Sequence, residues 1–364
     1  MRRSVDRTFA ALTAITAVVG VLIFFSASLV LITKGGGSFG SALFSQLIFG
    51  LGGGLVAAYL LTKVPLSVYR KYAPHLFVAG LVVTALVFIP FLGVTANGAT
   101  RWINLGFTTF QPSEFLKIGY ILVLAAVLSA GRDRGADYRR GVIPFVVCSM
   151  LVALLLLLQP DTDTMLIILA SGAAMLFASG LRWRDLAIGL LVVCIGLGVL
   201  VAARPYLKDR VVTYLNPTSD QQGTSYQITQ SKIAVGSGGL WGRGYGQSIQ
   251  KFSYLPEASS DAVFAVFAEE FGFWGSVLLV FLYLSFVLRG LWVSARAHDL
   301  FGGLVALGLI VCIGGQVFAN IAAMIGLIPV GGLPLPFVSH GGTALFMVLA
   351  MCGIVLAVSK TVRE

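Results

Sequence analysis

The sequence predicts an all-α polytopic membrane protein with about ten transmembrane helices and a large extracytoplasmic loop. The 364-residue chain is 57% hydrophobic and 11% charged, whereas a soluble domain carries about a quarter charged residues. Apolar runs of about 20 residues recur along the whole chain, and each is long enough to cross the hydrocarbon core as a helix. No segment is long and polar enough for a separate soluble domain, so residues 1–364 are predicted to form one integral membrane domain.

The predicted spans follow these apolar runs in chain order. The first begins after the basic start MRRSVDR and is too long for the apolar region of a signal peptide, so a retained helix is expected. The ninth run is long and interrupted by glycines, which predicts a tilted or broken helix. The predicted spans are 8–32, 40–61, 75–93, 114–130, 141–158, 163–180, 185–203, 262–289, 300–328 and 337–359.

Basic clusters indicate the orientation of the chain. They all fall on one side if the chain crosses ten times: Arg2/Arg3/Arg7, Lys63/Arg70/Lys71, Arg132/Arg134/Arg139/Arg140, Arg182/Arg184, Arg289/Arg296 and Lys360/Arg363. The positive-inside rule makes that side the cytoplasm, so we expect a multi-pass protein of the cytoplasmic (inner) membrane with both termini cytoplasmic. This distribution accounts for the net charge of +10 without a nucleic-acid partner. The four cysteines and three histidines are too scattered to predict a disulfide framework or a zinc site.

Three segments are predicted to lie on the outer side, at about 94–113, 204–261 and 328–342. The second joins helices 7 and 8 and is far longer than an ordinary connection, which is typical of a functional or disordered loop. Its aromatic residues argue against simple disorder. Cations are more frequent outside than the positive-inside rule favours, which suggests an anionic ligand such as a pyrophosphate-linked lipid. These cations are Arg101, Arg204, Lys208, Arg210, Lys232, Arg243 and Lys251.

The most informative stretch is Tyr254–Gly275, which carries four carboxylates into the eighth span. Carboxylates at membrane depth are rare and usually face a cavity, so they indicate a functional site. Asp261 suits a helix N-cap and also a catalytic role, and the two can coexist. Glu269 would lie about 12 Å deeper and about 80° further round the helix, which predicts that it faces the same cavity. Glu270 would point away and needs another partner.

Two further groups of charged residues lie at helix starts. Glu114 and Lys117 are three residues apart, so they can pair on one helix face, either as a structural ion pair or as part of a site. Asp161 and Asp163 follow the fifth span, where they suit helix caps or the ligands of a divalent cation.

Two glycine-rich segments complete the outer side. Gly236–Ser248 reads either as a tight loop whose N–H groups cradle an anion or as a flexible turn. Ile328–Gly342 has three prolines and four glycines, and such irregular backbone is tolerated near a membrane where it lines a cavity. Ser339 and His340 are adjacent there, but no placed acid makes them a catalytic triad.

These motifs, taken in order, resemble those of the SEDS (shape, elongation, division and sporulation) family over nearly the full length of the chain. The matching stretches are TRWINLG, QPSEFLK, QPD, YLPEASSDAVFAVFAEEFGFWG and PLPFVSHGG. The FtsW branch is the closer match because Gln316 and Asn320 lie four residues apart before IGLIPVGG, and RodA or SpoVE comes next. The chain departs from the family pattern at Ala262, Asp163, Gly331 and His340, where Phe, Gly, Thr and Tyr are usual.

The resemblance implies a peptidoglycan glycosyltransferase that polymerises lipid II in septal cell-wall synthesis, together with a class B penicillin-binding protein and other division-complex membrane proteins. It implies that Asp261 is essential for polymerisation. Our hypothesis for its role is that of a general base, so that the GlcNAc 4-hydroxyl displaces undecaprenyl pyrophosphate from the donor with inversion. Contacts to substrate or pyrophosphate are predicted for Arg101, Glu114, Lys117, Arg210, Lys232, Arg243, Glu269 and Ser339. Asp161 is the candidate ligand of a divalent cation, Mg²⁺ or Mn²⁺.

Three alternatives stay open. A RodA-type polymerase would act in elongation, and a lipid II flippase would use the same acids and cations to carry a head group across the membrane. The outer clustering of the carboxylates favours chemistry, because a carrier would place its site nearer the midplane. A scaffold that only recruits a transpeptidase leaves the charges within the membrane unexplained.

Overall fold

The structure, a computed structural model, describes residues 4–33, 36–96, 99–104, 106, 109–130, 138–215 and 224–362. The basic residues Arg2, Arg3, Arg132, Arg134 and Arg363, which contribute to the predicted orientation, lie outside the described residues. In chain order the helices are α1 (Arg7–Ser28), α2 (Val30–Thr33), α3 (Gly36–Leu43), α4 (Gly54–Lys63), α5 (Leu66–Ala85), α6 (Pro112–Leu128), α7 (Ile143–Leu158), α8 (Thr162–Ala178), α9 (Trp183–Ala203), α10 (Pro205–Leu215), α11 (Thr224–Ser237), α12 (Gln250–Ser253), α13 (Val263–Ala295), α14 (Leu300–Met324) and α15 (Gly342–Ser359).

Within the described residues, eight helical segments are long and apolar enough to cross a membrane. They are Arg7–Ile32, Phe39–Lys63, Leu66–Phe88, Arg139–Leu158, Trp183–Ala202, Val263–Ala295, Leu300–Met324 and Gly342–Ser359. Two further helices of 17 residues each, α6 and α8, coincide with the fourth and sixth predicted spans. The multi-pass helical fold is therefore confirmed, while the count of ten crossings stays a prediction.

The helices pack around α6, α14 and α15, which are buried along most of their length. Glycines allow the backbones to approach closely, as is usual between membrane helices. A β-carbon at Gly119 of α6 would lie 2.8 Å from the Leu76 carbonyl oxygen of α5, and one at Gly353 of α15 would lie 2.5 Å from the Ala58 Cα of α4. By contrast, most described side chains of α9 are exposed, as expected of a helix that faces lipid.

The first outer segment contains a small sheet that the all-α prediction lacks. Strands β1 (Gly93–Ala96), β2 (Ala99–Asn104) and β3 (Thr109–Phe110) pair antiparallel in that order. Their β-branched and aromatic residues favour extended backbone. The sheet matters for the site because β2 carries Arg101.

The large outer segment also differs from its prediction, because much of it is helical rather than loop. It contains α10, α11 and α12 between α9 and α13. Helix α11 packs against α13 and α14, so this segment is part of the packed bundle.

A helix break occurs in α13, whereas the sequence predicted a tilt or a break in the ninth span, α14. α14 runs without interruption, whereas α13 is broken at Gly272, whose φ of 66° and ψ of −162° are not helical. The glycine-rich segment 239–244 lies in this break and pairs with the backbone groups that it releases. The donor–acceptor pairs are Phe273 N with Gly239 O (2.9 Å), Trp274 N with Leu240 O (3.3 Å), Arg243 N with Glu269 O (3.1 Å) and Gly244 N with Glu270 O (3.0 Å).

Candidate active site at the outer end of the bundle

A cavity of about 110 Å³ lies where α8 begins, α14 ends and the chain enters α13. Its polar lining comes from Asp163, Asp261 and Asn320. Gly331 and Gly332 form another wall, and apolar side chains of α8 and α14 complete it. Of the candidate site residues, Asp261 lines this cavity directly.

Asp261 does not act as the helix cap. The N-cap residue of α13 is Ala262, and no side-chain hydrogen bond caps this helix. The Asp261 carboxylate instead accepts a 3.1 Å hydrogen bond from the Ser260 hydroxyl through Oδ1. Its Oδ2 lies 3.4 Å from where a β-carbon of Gly332 would stand, which is ordinary van der Waals contact.

The pKa of Asp261 is raised to about 6, mainly because burial disfavours the charged form. The nearby negative charges of Glu257 and Asp163 raise this pKa further, whereas the Ser260 hydroxyl and the Arg101 charge lower it. A carboxyl group with a pKa of about 6 exchanges protons near neutral pH, as a general base must.

The backbone around Asp261 is held by two side chains from other elements. Asn320 of α14 donates through Nδ2 to the carbonyl oxygens of Asp261 at 2.8 Å and Leu333 at 2.7 Å. The Ser339 hydroxyl donates to the Ser260 carbonyl oxygen at 2.5 Å and accepts from the Leu335 N–H at 2.7 Å. Ser339 therefore supports the backbone of the site rather than lining the cavity.

Asp163 lies in the wall of the cavity, a placement that the sequence analysis missed. Its Oδ2 pairs with Arg210 Nη1 at 2.9 Å, and Arg210 Nη2 donates to the Gly331 carbonyl oxygen at 3.4 Å. A β-carbon at Gly331 would overlap the Asp163 carboxylate. Asp163 and Gly331, two positions at which the sequence was expected to depart from the family pattern, thus lie side by side. Two aspartates one residue apart at a helix start were the available signal, but they also fit helix caps.

Asp161 and Arg101 form a second ion pair behind the cavity. Their closest atoms, Arg101 Nη1 and Asp161 Oδ1, are 3.7 Å apart, and Gln111 donates to Asp161 Oδ2 at 3.3 Å. Arg101 also donates to the carbonyl oxygens of Gln159 and Pro160, which ties the β2 strand to the turn before α8. Asp161 occupies the N-cap position of α8 without a side-chain capping bond.

These contacts do not fit a resident metal ion at Asp161. Both of its carboxylate oxygens already face nitrogen donors of the protein. In the part of the chain that the structure describes, no group of three His, Cys, Asp or Glu residues could hold a metal ion.

Glu114 and Lys117 pair as their spacing predicts. Lys117 Nζ lies 2.7 Å from Glu114 Oε1 and 2.8 Å from Gln316 Oε1, and both charged side chains are buried. Gln316 in turn donates to the Pro334 carbonyl oxygen at 2.9 Å. The pair therefore joins α6 and α14 to the segment that carries Gly331 and Ser339.

Glu269 is placed differently from the prediction and does not line the cavity. Its fully buried carboxylate pairs with Arg243 at 3.3 Å and accepts from the Ser248 hydroxyl at 2.5 Å. The N–H groups of Ile249 and Gln250 donate to it at 3.1 and 3.2 Å. The anion bound by this outer loop is therefore a carboxylate of the chain itself, since the loop reaches round to α13.

Glu270 and Lys232 are also absent from the cavity lining. Glu270 has the separate partner that its orientation requires, because Lys251 Nζ lies 2.7 Å from its Oε1 and the Ser26 hydroxyl donates to its Oε2 at 2.6 Å. Lys232 is exposed on α11 and lies against Gly326, just past the end of α14.

Known proteins resemble the chain over nearly its whole length. It is 37% identical to Stage V sporulation protein E of Bacillus subtilis, covering 100% of this chain and 99% of that protein. It is 38% identical to Peptidoglycan glycosyltransferase MrdB of Escherichia coli K12, covering 84% of this chain and 82% of MrdB. Identity to a probable peptidoglycan glycosyltransferase FtsW of Coxiella burnetii is 37%, with coverage of 93% and 92%.

Solved structures share the fold. A chain in the structure described as "Structural coordination of polymerization and crosslinking by a peptidoglycan synthase complex" superposes with a TM-score of 0.80 at 30% identity, covering 98% of this chain and 97% of that one. The rod shape determining protein RodA of Thermus thermophilus gives 0.70 at 29% identity, with coverage of 99% and 98%. The family model for FtsW, RodA and SpoVE, described as cell cycle protein, matches residues 6–364. The chain therefore belongs to the FtsW/RodA/SpoVE family, the SEDS proteins.

Proposed function

We propose that the chain is a peptidoglycan glycosyltransferase that polymerises lipid II into glycan strands. The observation that carries the proposal is Asp261, a carboxylate with a pKa of about 6 that faces a cavity and does not cap its helix. Relatives that share over a third of the sequence are named peptidoglycan glycosyltransferases.

In the proposed reaction Asp261 is the general base. It takes the proton of the acceptor GlcNAc 4-hydroxyl while that oxygen attacks the anomeric carbon of the donor's MurNAc. The bond from this carbon to undecaprenyl pyrophosphate breaks, and inversion converts the α-linked donor into a β-1,4 linkage. A positioned base contributes about 10²–10⁴-fold to such a step.

The leaving diphosphate gathers charge and needs cations near it. Arg210, which pairs with Asp163 of the cavity wall, is one candidate, and Arg101, whose charge acts on Asp261, and the buried Lys117 are the others. Roles for Lys232, Arg243 and Glu269 in substrate binding stay predictions, and the contacts of Arg243 and Glu269 with each other favour a structural role for both. Dependence on Mg²⁺ or Mn²⁺ also remains a proposal, with the ion accompanying the diphosphate as its counter-ion.

For the partner we propose a class B penicillin-binding protein in the cytoplasmic membrane, with both termini of this chain cytoplasmic. The likeness to a chain from a complex described by polymerization and crosslinking supports this pairing. A role in division rests on the FtsW-like residues Gln316 and Asn320. The elongation role is the alternative, since MrdB and Stage V sporulation protein E are similarly close relatives.

The test is a polymerisation assay with purified full-length protein and its partner on lipid II, in which glycan strands are resolved on a gel. Asp261→Asn keeps the shape of the side chain, so we expect a rate loss of about 10²–10⁴-fold with unchanged thermal stability. Glu257→Gln is the matched control, because Glu257 is an exposed neighbouring acid outside the cavity lining, and it should retain most of the activity. Full activity of Asp261→Asn would overturn the role of Asp261. Wild-type protein that moves lipid II across vesicles without polymerising it would favour the flippase.

A further inference from the structure

The charges around the cavity do not suit an anionic ligand as they are arranged. Asp261 and Asp163 line the cavity, and Asp161 lies behind it. Both nearby guanidinium groups are paired, Arg210 with Asp163 and Arg101 with Asp161. Three aspartates outnumber two arginines, so a diphosphate would meet repulsion unless one of the pairs rearranges.

The pair between Arg210 and Asp163 is the more accessible of the two. Each of its side chains is 21% exposed, whereas Arg101 is 16% exposed and Asp161 is 3% exposed. Asp163 itself lines the cavity, and Arg210 joins the same wall through its bond to the Gly331 carbonyl oxygen. Arg101 is held by carbonyl oxygens of the turn before α8 in addition to its aspartate, which fixes it in place.

The Asp163 side chain also occupies a site shaped for it. Gly331 has no side chain, and a β-carbon there would overlap the Asp163 carboxylate. Asp163 lies in the first turn of α8, and no side-chain capping bond is formed at this helix start. The Asp163 carboxylate faces Arg210 instead. The space at Gly331 and the contact with Arg210 therefore fix the position of the Asp163 carboxylate beside its guanidinium partner.

We propose that Asp163 is a positioning residue that holds Arg210 at the cavity wall and releases it to the diphosphate of the lipid donor. This inference rests on the proposed function. A diphosphate carries more charge and more oxygen acceptors than one carboxylate, and its oxygens match the paired N–H donors of a guanidinium group. The diphosphate therefore competes with Asp163 for Arg210, and the strength of the Asp163–Arg210 pair lowers the affinity for the diphosphate.

A double-mutant cycle tests this competition with farnesyl diphosphate, a short prenyl diphosphate, as the probe. Its affinity is measured by calorimetry on the purified full chain for wild type, Asp163→Asn, Arg210→Gln and the double variant. Asp163→Asn keeps the shape of the side chain and should tighten binding about fivefold, since a partly exposed ion pair is lost as a competitor. In the Arg210→Gln background the same change should alter affinity less than about twofold.

The sign and the background dependence separate this role from a merely structural one. If Asp163→Asn tightens binding equally in both backgrounds, Asp163 acts only through the electrostatic field of its charge and not through Arg210. If Asp163→Asn binds the probe more weakly or not at all, the two anions do not compete for Arg210. Either result overturns the proposal. Gly331→Ala is the second variant, for use if Asp163→Asn does not fold. It displaces the Asp163 carboxylate and should also tighten binding, whereas no tightening would count against the proposal.

The outcome is independent of turnover. If the proteins bind the probe with this pattern but the wild type makes no glycan, the proposed polymerase function is wrong, whereas the proposed role of the Asp163–Arg210 pair stands. If the wild type polymerises lipid II but the effect of Asp163→Asn on probe affinity is the same in both backgrounds, only the proposed role of Asp163 is wrong.

Discussion

At the scale of single residues, the acids near the outer face differ in what their side chains touch. Glu269 is enclosed by one cation, one hydroxyl and two N–H groups, and Glu270 is paired with a buried lysine. Asp161 and Asp163 each face an arginine. Asp261 has a single side-chain partner, the Ser260 hydroxyl, among the hydrogen bonds of the described residues, and it borders a cavity. That difference leaves Asp261 available to accept a proton.

The raised pKa of Asp261 predicts a pH dependence. A general base must be ionised, so the polymerisation rate should be lost as pH falls through about 6 and reach a plateau above it. Glu257→Gln removes a negative charge that raises this pKa, so the midpoint should move to lower pH. Glu257 is exposed, hence added salt should shrink the shift. Rates of both proteins between pH 4.5 and 8, about four buffers each, check this, and a midpoint that rises in the variant would contradict it.

The sequence could predict some of these residues and not others. Spacing within one helix was sufficient to predict that Glu114 and Lys117 pair. The position of Asp261 at the start of a span was sufficient to predict that it lies at a cavity. The placement of Glu269 depends on a loop that returns from residues 248–250, and the contact of Asp163 with Gly331 joins positions far apart in the chain. Helical geometry carries no information about such contacts.

At the scale of elements, the break in α13 and the loop that fills it are specified together. Gly272 adopts a positive φ, and a β-carbon there would overlap the Gly242 N–H. We expect Gly272→Ala to destabilise the protein by about 2 kcal/mol, from backbone strain and the lost close approach. Gly198→Ala is the matched control: it lies within α9 with open space around it, so it should be neutral or stabilising by about 0.5 kcal/mol. Thermal unfolding in detergent compares the two, and equal melting temperatures would refute the expectation.

The ion pair of Lys251 with Glu270 fastens the outer segment to α1 and α13. Both side chains are buried, and Lys251 Nζ also donates to the Ser26 carbonyl oxygen at 3.2 Å. Lys251→Met leaves a buried carboxylate without its cation, so a loss of about 3–5 kcal/mol is expected. The double variant Lys251→Met/Glu270→Gln should lose less than the sum of the single variants, because no lone charge remains. Additive losses in the same unfolding assay would mean that the two residues act separately.

Helices were predictable from the sequence where the length of an apolar run determined them. All ten predicted spans contain helices among the described residues, because about 20 apolar residues leave a membrane chain few other ways to pair its backbone. The sheet β1–β3 and the helices of the large outer segment were not predicted, since short polar stretches lack a clear period. The break lies in α13, whereas a tilt or a break was predicted for α14; glycines are common in both runs, and only packing shows which one adopts a positive φ.

At the scale of the whole molecule, the seven spans predicted between residues 4 and 257 should place these two positions on opposite sides of the membrane. Single cysteines at Ser4 and Glu257, both exposed, should react with an impermeant thiol reagent from opposite sides of the membrane. The background replaces the four native cysteines, of which Cys194 is exposed. Residue 4 should react only in inverted vesicles and residue 257 only in intact cells. Labelling of both from one side would refute the orientation and place the Asp261 cavity at the wrong surface.

The amide of Asn320 has a consequence for how the enzyme can be controlled. One nitrogen holds the carbonyl oxygens of both Asp261 and Leu333, and it lies near the C-terminal end of α14, a helix of 25 residues. A tilt of this helix would therefore displace both chain segments that border the cavity, Asp261 and Leu333. A protein bound at the other end of α14 could thus change the shape of the cavity without touching it.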